Sequence, residues 1–302
     1  MVVPFGHRIG CSWICIMMLG FLWGFLQEVI QIAFCLLITP FMVWILTRFP
    51  RWLNGEAVSG AVISFQDMKS FWRTLYSEAI EPQTAFCIAI ALVVIAVLPS
   101  IIVSVYFANL ADPLLIGLLL LSARFLLGRT NVPEEIRRSI PAILVLCLVE
   151  ALIALAAPEA NGLAGLSQVL HIEPSPGLEG ALGACALALG ICCPPLREND
   201  LRKRLSEINV RHQRRMLYAT VDVLNCAWIF FLSDLALPIS IGTVSADWRG
   251  WLEGAAGFLG RVALMLMFVT VLKISGQERS ERLTALFSGV ALVLALAGRY
   301  AA

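Results

Sequence analysis

Charge is scarce in this chain. Only 14% of its 302 residues are Asp, Glu, Lys or Arg, and 59% are hydrophobic, whereas a soluble domain carries roughly 25% charged residues. With a mean hydropathy of +0.85, a soluble globular class is excluded. Histidine is scarcer still. His7, His171 and His212 are the only three, and they stand far in sequence from the nine cysteines. Those cysteines (Cys11, Cys15, Cys35, Cys87, Cys147, Cys185, Cys192, Cys193 and Cys226) all lie in or at the ends of apolar stretches. They lack the two paired C-x-x-C units of a zinc or iron–sulfur site, and buried cysteine behaves as a small hydrophobe. Only the adjacent pair Cys192–Cys193 invites a test for metal or thiol chemistry. No metal and no cofactor is expected. There is no glycine-rich phosphate loop and no nucleophile beside a base. The chain carries no nucleic-acid footprint, because its one strongly basic segment is explained by a position beside a membrane.

What is abundant is long apolar sequence. Eight stretches, 17–47, 84–107, 113–128, 139–157, 178–193, 216–237, 253–272 and 283–300, read as spans, since about 20 apolar residues cross a hydrocarbon core ~30 Å thick. Of the 22 Lys and Arg residues, 17 fall in every second connection: four in 48–83, three in 129–138, seven in 194–215 and three in 273–282. The intervening connections 108–112, 158–177 and 238–252 hold only Arg249. Cytoplasmic loops are enriched in Lys and Arg. The pattern predicts an all-α, multi-pass protein of a cell inner membrane, with about eight transmembrane helices and both termini on the outer face. It forms a single domain, 1–302. His7 and Arg8 before an apolar run resemble a signal peptide, but no small-residue cleavage site follows and the run is too long. An uncleaved first span is expected, with room for an interfacial turn near Cys11–Met17.

The cytoplasmic connections 48–83 and 194–215 each predict an amphipathic helix. Phe65, Met68, Trp72 and Leu75 recur at helical spacing in the first, and Leu201, Leu205, Ile208 and His212 in the second. Such helices suit either lipid headgroups or a docking partner. Connection 158–177, with Pro158, Asn161, Gly162, Pro174, Pro176 and Gly177, reads as an outer loop. Pro40 is expected to kink the first span by removing a backbone hydrogen bond.

Ionisable residues inside spans cost about 2.5–3.5 kcal/mol each on insertion scales, so each asks for a partner or a purpose. The deep ones are Glu28, Glu150, Asp222 and Arg261. Arg124, Asp234 and Lys273 lie nearer the boundaries. Arg124 and Lys273 are expected to snorkel inward, and Asp234 to reach outer water. Glu150 has no polar neighbour in its span, so it either holds a proton or pairs with a cation such as Arg261. Either state serves proton movement; a structural ion pair is the bland alternative. Glu28 and Asp222 have polar neighbours one turn away, Gln31 and Asn225. Glu150, Glu28, Asp222, Arg261, Lys273 and Asp234 are the proton-path candidates.

Several segments line up, in order, with one family. Leu36-Leu37-Ile38-Thr39-Pro40 ends the first span and precedes Glu56-Ala57-Val58-Ser59-Gly60 and Phe65-Gln66-Asp67-Met68-Lys69-Ser70-Phe71-Trp72-Arg73. Asp112-Pro113-Leu114-Leu115-Ile116-Gly117 leads to Ser122-Ala123-Arg124-Phe125-Leu126-Leu127, and then comes Leu148-Val149-Glu150-Ala151-Leu152. This resembles the membrane subunit of group 4 nickel–iron hydrogenases and formate hydrogenlyase, which is similar to subunit 1 of respiratory complex I. Where the family has an acidic loop after its fifth span, this chain has Cys192-Cys193-Pro194-Pro195-Leu196-Arg197-Glu198-Asn199-Asp200. A basic segment with Arg202, Lys203, Arg204, Arg211, Arg214 and Arg215 follows. The family's arginine-glycine-proline segment is also absent. In the family these loops line a quinone-like cavity; what carries over here is Asp67, Asp112, Arg124 and Glu150.

The resemblance implies a non-catalytic subunit of a complex I-like or hydrogenase-like assembly. It would anchor a cytoplasmic peripheral subunit and pack laterally against antiporter-like membrane subunits. Asp67, Arg73, Arg124, Arg202, Lys203, Arg204, Arg211, Arg214 and Arg215 are the partner-interface candidates. Two readings stand beside it: a structural anchor without coupling, and a stand-alone secondary transporter, for which no clear internal repeat is visible.

Overall fold

A computed structural model describes residues 9–53, 55, 65–76, 81–103, 110–128, 132–192, 211–242, 248–275 and 281–301. Among these residues there are ten helices and no strand: α1 (Ile9–Leu53), α2 (Phe65–Tyr76), α3 (Pro82–Val97), α4 (Pro113–Gly128), α5 (Val132–Ala156), α6 (Gly162–Ile172), α7 (Pro176–Cys192), α8 (Arg211–Ala236), α9 (Trp248–Ser275) and α10 (Glu281–Ala301). Segments of α1, α5, α8, α9 and α10 are long and apolar enough to cross a membrane. The apolar helices α3, α4 and α7 have 16, 16 and 17 residues, about 24–26 Å each. Each of the eight overlaps one of the apolar stretches read from sequence, α3 only in part. Most of the chain thus forms an apolar helical bundle with the dimensions of a membrane-embedded protein.

Helix α8 is the centre of the bundle. Within its apolar window 89% of the residues are buried, against 11% for α10, and it packs on α3, α4, α7 and α9. Trp228, Phe230 and Phe231 of α8 are fully enclosed. Helix α10 is held mainly by α7, where glycine replaces side-chain interdigitation. A Cβ on Gly177 would meet the Cα of Gly298 at 2.5 Å. Small residues let backbones approach in this way where lipid supplies no hydrophobic force between helices.

Three expectations change. The stretch 84–107 is not one helix, because α3 stops at Val97. Pro99 has no N–H and pushes Leu98 out of the helical region, to φ −67° and ψ 130°. The connection 158–177 is not simply a loop, because α6 occupies its middle. Its prolines lie outside the helix, and Leu163, Ala164, Leu166, Ser167 and Leu170 form one buried face. No turn appears at Cys11–Met17, which lies within helix α1. Helix α2 forms where the amphipathic pattern of 48–83 predicts one; Phe71 and Trp72 pack against the core, and the helix contacts α8. The predicted basic helix lies outside the described residues up to Arg211, where α8 begins.

Candidate polar node between two unwound segments

Two stretches without helical hydrogen bonding, 98–103 after α3 and 237–242 after α8, run into the same end of the bundle. The second starts with a 3₁₀ turn at Pro238–Ser240. They join through one parallel bridge, in which the Val103 N–H donates to the Gly242 carbonyl at 3.0 Å and the Gly242 N–H to the Ile101 carbonyl at 2.9 Å. Non-helical backbone survives at membrane depth only where protein or a water-filled cavity satisfies its polar groups. Here the protein does so almost group by group.

Gln31 of α1 is the first provider. Its Nε2 donates to the Leu98 carbonyl at 2.8 Å, and its Oε1 accepts the N–H groups of Ile101 and Ile102, each at 3.1 Å. Arg261 of α9 is the second. Its Nη2 donates to the Ser100 carbonyl and to Asp234 Oδ1, the latter at 3.0 Å, and its Nη1 donates to Ser240 Oγ at 2.8 Å. The Ser100 hydroxyl closes the ring by donating to Asp234 Oδ2 at 2.9 Å. The guanidinium and carboxylate are 1% and 0% exposed, so the pair is closed off from bulk solvent. Glu28, one turn before Gln31, is buried beside them at 4% exposure. Cys35, one turn further along α1, lies within reach of Ser100 and in the electrostatic range of Glu28, Asp234 and Arg261.

Helix α9 can press this close only because of its glycines. A Cβ on Gly254 would collide with the Ile101 carbonyl oxygen, and one on Gly257 would lie 2.5 Å from the Ser240 carbonyl oxygen. Helix α6 covers the node from outside: Leu163 N–H donates to the Ala111 carbonyl at 2.8 Å, and Ala164 is buried with Val103 and Ile241. Counting helical rise from Arg48 to Gln31 and from Lys273 to Gly254 sets the node about 25–28 Å from the cation-bearing end. Arg261 itself is about 18 Å from Lys273 by the same count, so the node lies in the half of the bundle away from the cation-bearing end.

The sequence candidates therefore divide. Arg261, Asp234 and Glu28 come together. Asp234 does not reach water; it is the buried ion-pair partner of Arg261. Glu150 is not that partner. It sits half-buried on α5, and Asp112 is close enough to act on it electrostatically. Asp112 caps α4, its Oδ1 accepting the Leu115 N–H at 2.9 Å. Oε2 of Glu150 is buried with no hydrogen-bond partner among the described residues. Asp222, half-buried on α8, lies about 10 Å from the cationic end by helical rise, remote from the node. Lys273 reaches the Leu46 carbonyl at 3.5 Å, in keeping with a snorkelling cation. Arg124 is partly buried near the end of α4, and Arg73 and Arg215 are exposed. Asp67 belongs to α2, and Arg211 and Arg214 to the first turn of α8; their side chains are outside the described set. Arg202, Lys203, Arg204 and Cys193 lie outside the described residues altogether. Cys192 is buried, with its thiol directed at the Leu189 carbonyl. No group of three potential metal ligands occurs among the described residues.

Sequence reading missed Ser100, Ser240 and the role of Gln31. The available signal was a proline followed within two residues by a serine, Pro99-Ser100 and Pro238-Ile239-Ser240.

Chemically, the node is a staple: one ion pair and one amide hold two open backbone segments, with the Arg261 Nε buried and without a hydrogen-bond partner among the described residues. The pair with spare capacity is Glu150 and Asp112. No protein-family model and no curated protein matches this chain.

Proposed function

We propose that the chain is an integral membrane subunit of a complex I-like or energy-converting hydrogenase-like assembly. In this reading it crosses a cell inner membrane eight times with both termini outside. It anchors a cytoplasmic partner through 48–83 and 194–215 and contributes to proton translocation. The observation that carries it is the Glu150–Asp112 pair. A carboxyl inside an apolar helix, with a buried oxygen that has no hydrogen-bond partner among the described residues and a second carboxyl in electrostatic range, can take up and release a proton as neighbouring charges move. The lateral surface supports the same reading. Helix α10 keeps Leu286, Val293 and Leu296 more than half exposed, an apolar face suited to antiporter-like subunits or lipid. Glu150→Gln is expected to lower proton-coupled activity of the assembly while leaving its subunit composition intact. Unaltered activity would reduce Glu150 to a packing residue.

A second reading, a structural anchor without coupling, is favoured by the node, whose charges are consumed in holding backbone. Co-purification separates the two, since an iron–sulfur or hydrogenase-like partner supports coupling. The unwound segments also touch on the transporter reading, but transporters turn such segments towards substrate, whereas here Gln31 and Arg261 bond to them. Transport by the purified chain in liposomes would revive that third reading.

A further inference from the structure

Between the second half of α1 and the middle of α9 runs an open groove of about 770 Å³. Its walls are almost wholly apolar, including Phe41, Trp44, Phe49 and Trp52 on one side and Ala263 and Met267 on the other. Ile38 and Trp52 mark its ends, about 21 Å apart by helical rise, somewhat more than one leaflet of a ~30 Å core. Arg48 lines it near the cation-bearing end, with Arg51 exposed next to it and Lys273 bonded to the adjacent Leu46 carbonyl. The groove therefore has an apolar length and a basic mouth.

We propose that this groove holds one anionic phospholipid, its acyl chain along α1 and α9 and its phosphate at Arg48. Two features favour lipid over a partner helix. Where helices of this protein meet closely, glycine lies at the contact, as at Gly177–Gly298 and at Gly117 against Leu146. The groove walls instead carry paired bulky aromatics, Phe41 on Trp44 and Phe49 on Trp52, with ring centroids 6.2 and 5.9 Å apart. Tryptophan near a basic side chain is the composition of a headgroup boundary. Trp44 adds an indole N–H with no hydrogen-bond partner among the described residues.

The test uses the full-length chain in nanodiscs of equal phosphatidylglycerol and phosphatidylcholine, followed by native mass spectrometry of retained lipid. The natural chain is expected to retain phosphatidylglycerol over phosphatidylcholine by about fivefold, the preference one basic side chain confers near a surface. Arg48→Gln should bring the two lipids to parity while still holding one. Ala263→Phe, at an exposed position on the groove wall, should lose retained lipid without loss of thermal stability. Equal retention of both lipids by the natural chain would overturn the proposal. So would unchanged retention in both variants, or an efficient cross-link from Met267→Cys to another subunit. The inference requires only that the bundle be embedded in lipid, so its failure would leave the Glu150 experiment untouched.

Discussion

Gln31 serves three backbone groups at once, the Leu98 carbonyl and the N–H groups of Ile101 and Ile102. Each buried polar group left without a partner costs about 1–3 kcal/mol. Gln31→Leu should therefore lower the melting temperature in detergent more than any apolar substitution on the same face of α1. Gln31→Glu, which keeps the acceptor and loses the donor, should fall between. The Asp234–Arg261 pair obeys a different arithmetic. Removing one partner strands a buried charge at a cost of about 3–5 kcal/mol, whereas replacing both with apolar residues is often close to neutral. Asp234→Leu is expected to unfold the protein readily, and Asp234→Leu with Arg261→Met to recover much of the loss. Recovery stays incomplete, because Arg261 also serves the Ser100 carbonyl. Thermal melts of the two single variants and the double variant measure the coupling directly. At this scale the sequence named Glu28, Asp234 and Arg261 as costly residues. It misjudged their partners, because Asp234 and Arg261 are 27 positions apart and the distance between them is set by how α8 and α9 cross.

Helices α3 and α8 end where a proline follows, and α9 fits against their open ends through glycine. This gives a graded test along one helix. Gly254→Ala and Gly257→Ala would push a methyl group into the carbonyl oxygens of Ile101 and Ser240, while a Cβ at Gly260 meets nothing within 4 Å. The first two should each lose stability by several degrees in a thermal melt. Gly260→Ala should be neutral or slightly stabilising, since alanine gains up to about 1 kcal/mol over glycine within a helix. Helix existence was legible for the long apolar elements: α5, α8, α9 and α10 follow their predicted stretches closely. Two features were not. The end of α3 depended on Pro99, whose effect is local but was hidden inside a continuous apolar run. Helix α6 was hidden by the prolines that flank it, and its apolar face has meaning only against the unwound segments it covers.

Across the whole molecule, the alternation of basic and non-basic connections makes a single strong claim about orientation. A reporter active only outside the inner membrane should give signal when fused at Asn161 and none when fused at Thr130. The opposite result would invert the proposed topology and move the polar node to the cytoplasmic half of the bundle. The bundle is asymmetric in another respect: α8 is enclosed on nearly all sides, while α1 and α10 leave broad apolar faces uncovered. Lipid or partner subunits must cover those faces, which is why the lipid groove and lateral packing are both tested at this scale.

Composition and periodicity by themselves determined the class of molecule, because burying this much apolar surface with so little charge requires a helical bundle in lipid. The charge pattern likewise predicts which ends of the helices share a side. Tertiary structure decided where the scarce charges go. A carboxylate and a guanidinium in separate spans carry no mark of partnership in sequence. They are paired only because two helices stop early, their open backbone must be satisfied, and the glycines of α9 let Arg261 come close enough to do it.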